Sequence, residues 1–184
     1  MRRTTPLQRV AGTCAAFLIL PALVWAEPVG PTSYSMLNGQ TGAFSYHDET
    51  YAGAGATGNP NADLSPLAGG LGDLTNGVIP TQNWFIEETV ANGPYVGWFS
   101  IDPTITFLFG GTFTFNTVTV DTDDASGAGS VFSPGSFDVT IGATTLNFPV
   151  PDDANAAPDT FVLNVGGLAG SSVILTVHDG AVSS

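Results

Sequence analysis

The stretch LGDLTNGVIPTQNW, residues 71–84, contains an Asn76-Gly77 pair that raises a question of metal chemistry. That pair can be the two-residue turn of a β-hairpin, or part of a loop that folds backbone carbonyls around a metal ion. The preceding GGLGDL lacks the alternation of a strand, which removes the usual support for a hairpin. A second acidic run, DTDDASGAG at 121–129, puts three carboxylates in four positions. It lacks the twelfth-position glutamate of an EF-hand loop, so a solvated turn is expected there, with Asp123 and Asp124 as second-rank metal candidates. Trp84, Tyr95, Trp98 and Phe99 form an aromatic set nearby. Sugars bind to such rings as flat apolar faces, although Trp98 in YVGW is expected to pack in the core. Tyr46, Tyr51 and Tyr95 are expected to present their rings from loops while their hydroxyls stay wet.

Catalysis has little basis in the residues. His47 precedes Asp48 and Glu49 in YHDET, but neighbours in an extended chain point to opposite sides and make no acid-base pair. His178 lies beside Asp179. Both histidines are expected at the surface, and no Gly-x-Ser-x-Gly nucleophile motif occurs.

The first 26 residues read as a secretory signal. Arg2, Arg3 and Arg9 precede an apolar run interrupted by Gly12, Thr13 and Pro21, and the small residue Ala26 stands before the expected cut at Glu27. A membrane anchor is the competing reading, but the run is short and interrupted for a bilayer span. The cut would remove all three basic residues and leave every Asp and Glu, taking the formal charge from −13 to −16. Nucleic acid and anionic membrane surfaces are excluded as partners, because both require basic groups. Divalent cations are favoured on charge alone. The one cysteine, Cys14, lies in the leader, so no disulfide is expected after cleavage.

Beyond the leader, strands dominate. TITFLF, TFTFNTVTV, SFDVTIG, TLNFPVP, TFVLNVG and SVILTVH alternate apolar and polar residues. In the second, the apolar parity changes between Phe115 and Val118, as at a bend or bulge. Short alternating strands without helical crossovers predict one all-β domain over 27–184, an antiparallel β-sandwich or jelly roll. Residues 33–77 lack periodicity and are expected to form a long irregular loop wrapped on it.

The order LTNGV, NW, YVGW, PTITFLF, VTV resembles the galactose-binding-like jelly roll of discoidin domains and many carbohydrate-binding modules. YSMLNGQTGAFSYHDETY with LAGGLGDLTNGV and GPYVGW resembles exported bacterial proteins that carry a PEP-CTERM sorting tail. The resemblance covers about 34–177. It implies a calcium-binding loop with Asp73 and Asn76 as its side-chain ligands. The chain departs from the pattern at Asn76, where aspartate is usual, and at VHDGAVSS, where a last strand usually follows. With no sorting tail, the protein is expected to be released. With no last strand, an open sheet edge after Val177 would invite self-association.

The expected function is a secreted, non-catalytic binding module, for extracellular glycan or an envelope polymer, with calcium stabilising one loop. The alternative is a structural or matrix protein of the cell envelope with no defined small ligand. An enzyme ranks third.

Overall fold

The computed structural model describes residues 27–89, 93–151 and 155–180. The expected leader lies outside the described residues. Six strands form one antiparallel sheet: β1 (Ser33–Leu37), β2 (Pro66–Gly70), β3 (Thr104–Thr122), β4 (Ser136–Ile141), β5 (Thr144–Pro149) and β6 (Asp159–His178), in the order β2-β1-β3-β6-β4-β5. The all-β, antiparallel class read from the alternation is the observed one. No helix among the described residues is long and apolar enough to cross a membrane.

Register explains the core. Directly paired residues share a face, so Val139, Leu175 and Ile105 form one row across β4, β6 and β3. Ile141, Val173, Phe107 and Tyr34 form the next, continued onto β1. Of these, only Phe107 is not fully buried. The opposite face carries Thr104 against Thr176 and Thr140 against Thr145, whose hydroxyls meet at 3.0 and 2.7 Å. Alternate residues thus divide into an apolar and a hydroxylated face.

Two long strands absorb four of the segments legible in the sequence. TITFLF and TFTFNTVTV are one strand, β3, and TFVLNVG and SVILTVH are one strand, β6. Their ladder is interrupted twice: residues 109–112 of β3 stand opposite a single residue of β6, and residues 165–167 of β6 stand opposite Asn116. Gly166 and Gly167 hold φ of 68° and 81°, which a side chain would strain. The second interruption coincides with the parity change expected between Phe115 and Val118. Past it the ribbon turns back over the sheet, where Phe161 meets Phe137 with ring centroids 5.3 Å apart. This return supplies the second layer of the sandwich.

Residues 33–77 are less irregular than expected, because β1 and β2 lie within them and join the sheet. The 38–65 stretch between is held by polar side chains. Asn38 accepts from the N–H groups of Gly39 and Asp48 at 2.9 and 2.8 Å and donates to the Pro60 carbonyl at 3.0 Å. The open edge expected beside the strand ending near Val177 is absent: β6 pairs with β3 on one side and β4 on the other. The sheet edges are β2 and β5, and each carries a proline at one end, Pro66 and Pro149, where it blocks a ladder hydrogen bond.

Candidate functional site

Asn76-Gly77 is not a hairpin turn. Asp73–Thr75 form one 3₁₀ turn, Asn76 caps its C-terminus, and Gly77 takes φ of 80°. The Asn76 side chain donates to Asp73 Oδ1 at 3.1 Å and accepts from the Val78 N–H at 2.7 Å, an Asx turn that fixes the loop without strands on either side.

Asp73 is buried beneath this loop, only 6% exposed. Its N–H donates to Asp48 Oδ1 at 2.8 Å, and its Oδ1 accepts from Thr50 Oγ1 at 2.6 Å. Its Oδ2 has no hydrogen-bond partner among the described residues. Asp48 is fully buried and takes a further hydrogen bond from the Tyr34 hydroxyl on its other oxygen. Burial lifts the Asp48 carboxyl to about 6, against the opposing effect of that hydrogen bond. Gly72 makes the approach possible, since a Cβ there would collide with Asp48 Oδ1.

Asp123 and Asp124 are not in a solvated turn. Both are buried. Asp123 accepts from Asn83 Nδ2 at 2.8 Å and from the Trp84 N–H at 2.9 Å, which anchors the start of the short helix α1 (Trp84–Glu87) to the end of β3. Burial raises its carboxyl above the usual range. Asp124 Oδ1 accepts from the Ser126 N–H at 2.7 Å, and its Oδ2 is without a partner among the described residues. Two of the four metal candidates therefore carry an unpartnered buried oxygen. Among the described residues, no three His, Cys, Asp or Glu side chains converge in a metal-holding group.

Between the apolar face of the sheet and the loops lies a cavity of about 670 Å³. Ile105, Phe107 and Leu175 form its floor from the sheet, and Val118 and Val120 line it from the returning ribbon. Tyr46, Trp84, Tyr95, Trp98 and Phe99 supply its aromatic lining, with Asp73, Asp121 and Asp123 as its acidic groups. Tyr46 meets Trp84 edge to face at 5.9 Å. Tyr95 donates its hydroxyl to the Gln82 carbonyl at 2.6 Å, and its own N–H donates to Glu88 at 2.8 Å. Glu88 is buried, and desolvation lifts it to about 7, helped by the charges of Glu49, Asp73 and Glu87. An open cleft of about 250 Å³ adjoins the loop, and Asp73, Asn76, Gln82 and Glu87 line it.

Three of the four expected sugar-contacting aromatics, Tyr46, Trp84 and Tyr95, thus meet in one cavity. Tyr51 does not. It is 5% exposed, accepts from the Gly70 N–H at 2.8 Å and donates to the Tyr34 carbonyl, so it is a core ring with both hydroxyl bonds satisfied internally. Trp98 packs against the core as expected, donating to the Leu37 carbonyl at 2.9 Å, yet it also lines the cavity. No local pattern singled out Asp48, Thr50 or Glu88, whose roles come from contacts far along the chain.

His47 is buried instead of exposed. Its Nδ1 meets Ser45 Oγ at 3.0 Å and its Nε2 meets Asp63 Oδ1 at 2.7 Å. The residue types are those of a nucleophile, a base and an orienting acid. The carboxylate also accepts from the N–H and hydroxyl of Thr41 at 2.9 and 2.8 Å, so the set ties together the two ends of the 38–65 stretch. Ser45 is not among the residues lining the cavity described above. His178, half-buried, bridges Asp102 at 2.9 Å and Asp138 at 3.0 Å.

The fold and cavity define an all-β protein with an aromatic, acidic ligand-sized recess. No protein-family model and no curated protein matches the chain.

Proposed function

We propose that this chain is an exported, non-catalytic binding module that takes carbohydrate in the cavity between its sheet and its loops. The observation that carries this is the convergence of Tyr46, Trp84 and Tyr95 with carboxylates in one recess of about 670 Å³. Such a volume falls in the range of small-ligand sites, and rings with neighbouring polar groups suit the apolar faces and hydroxyls of a sugar. The export reading rests on the leader pattern of 1–26. A glycan array probed with the exported form should show saturable binding to a restricted set of glycans. Replacing Trp84 with alanine should abolish that binding, and a blank array would favour the matrix-protein alternative.

We further propose that calcium binds at the 73–77 loop. Asp73 Oδ2 is buried without a partner among the described residues, which is costly for a carboxylate, and calcium accepts carboxylate, amide and carbonyl oxygens together. Asp73 and Asn76 are the side chains that would hold it. A ligand bound only by the native state raises stability by ~2.7 kcal/mol at a hundredfold excess over its dissociation constant. Thermal melting in calcium should exceed that in equimolar magnesium and in sodium chloride of matched ionic strength. The calcium-selective part should vanish in Asp73→Ala. Equal shifts from all three salts would reduce the effect to charge screening.

A further inference from the structure

We infer that the cavity selects a cationic glycan, an amino sugar whose nitrogen is free and protonated, over neutral and N-acetylated sugars. This rests on the carbohydrate reading above and specifies its ligand class. The cavity is lined by aromatic rings and by Asp73, Asp121 and Asp123, with no basic residue among its lining. Asp73 is 6% exposed, and its Oδ2 is an acceptor with no donor among the described residues. A protonated amine supplies the positive charge that this lining lacks. It donates hydrogen bonds to a carboxylate, and it is attracted to the faces of Trp and Tyr rings by their quadrupole.

The rest of the chain acts in the same direction. Beyond residue 26 there is no lysine or arginine, and all sixteen acidic residues are present. No internal ammonium or guanidinium side chain can neutralise the recess. His47 is tied to Ser45 and Asp63, and His178 to Asp102 and Asp138, none of which lines the cavity. A concave site of one charge sign with apolar walls concentrates the field and draws in counter-ions. A neutral sugar would leave the carboxylates of the recess without a counter-charge, and an N-acetyl group would replace the ammonium with an uncharged amide. Calcium and the ammonium are then alternative counter-ions of one carboxylate, and calcium should weaken amine binding.

The test is calorimetric titration of the exported protein, in chelator and at physiological salt, with a glucosamine trisaccharide, its fully N-acetylated counterpart and a glucose trisaccharide. The expected result is a preference for the free amine on the order of tenfold. Asp73→Asn should bring the free amine down to the affinity of the N-acetylated form, and added calcium should compete. Asp121→Asn, at an exposed carboxylate of the same lining, is a second variant in case Asp73→Asn fails to fold, and it should also reduce the preference. Asp179→Asn, outside the cavity lining, should leave it unchanged.

Equal binding of the three trisaccharides would overturn the cationic selection and leave the carbohydrate reading standing. An equal loss in Asp179→Asn and Asp73→Asn would also overturn it, because the attraction would then belong to the overall charge. Failure of all three, together with a blank glycan array, would remove the carbohydrate reading itself.

Discussion

Replacing Phe137 with alanine is expected to lower the free energy of unfolding by about 3–5 kcal/mol, the range for emptying a fully packed aromatic site. Phe137 is wholly buried on β4, pairs with Val177 of β6, and meets Phe161 on the returning half of the β3–β6 ribbon. It therefore joins the sheet to the layer folded over it. The surrounding strands are fixed by ladders on both sides and can collapse only partly into the space. Val162→Ala, on the same ribbon but 65% exposed, should change stability by no more than ~0.5 kcal/mol. Urea unfolding of the two variants checks this. A loss below about 1 kcal/mol for Phe137→Ala would mean that the two layers do not depend on that contact.

The protein should be most stable in mild acid and lose stability steadily as the pH rises towards neutrality. Burial raises Asp48 from 3.8 to about 6 and Glu88 from 4.5 to about 7. A carboxyl whose folded pKa lies above its unfolded value binds its proton more tightly in the native state. Its contribution is full below the unfolded pKa and is lost as pH rises through the folded one. For Asp48 that window runs from 3.8 to about 6, and for Glu88 from 4.5 to about 7. His178 is raised above 6.5 by its hydrogen bonds to Asp102 and then Asp138, so its contribution is also lost as pH rises. Asp63, Asp102 and Asp138 have lowered values, and their contributions are lost as pH falls below 3.8. Together these set a maximum between the two regimes, at about pH 4. Stability should then fall by several kcal/mol by pH 8, since each tenfold difference in proton affinity between the folded and unfolded states is worth about 1.4 kcal/mol.

Self-repulsion among sixteen carboxylates adds to the decline. Glu88→Gln keeps an acceptor for the Tyr95 N–H and removes the titrating group. It should raise stability at pH 8, leave it nearly unchanged at pH 4, and flatten the curve between them. Melting curves from pH 3 to 9 for the parent and Glu88→Gln test this. A parent maximum at or above pH 7 would contradict the assignment of Asp48 and Glu88 as destabilising buried acids.

The sequence alone determined the strand character of the chain, because alternation of period two is a local property that any half-buried strand must carry. Ile105 and Phe107, Val139 and Ile141, and Val173 and Leu175 could be assigned to one face before any pairing was known. It also determined the charge environment, since with no lysine or arginine after residue 26 no arrangement of the chain beyond that point could put either cation in the cavity. It marked the bend between Phe115 and Val118 through the change of parity there. It left Asn76-Gly77 open between hairpin and loop, because the pair fits both and only the partners of its flanks distinguish them.

Tertiary structure decided the rest. That four apolar segments are two long strands depends on whether the ladder continues through the bulges at 109–112 and 165–167, which is a matter of pairing across the sheet. Tyr46 and Tyr51 look alike in sequence, each in a polar, loop-like setting. One lines the cavity, and the other is sealed in the core by bonds to Gly70 and Tyr34, residues 19 and 17 positions away. Asp123 and Asp124 have the composition of a solvated turn and are buried because α1 and the loops fold over the end of β3. Burial and partnership are set by segments distant in sequence, so a local pattern could name the groups able to bind a cation but not which of their oxygens would be left without a partner.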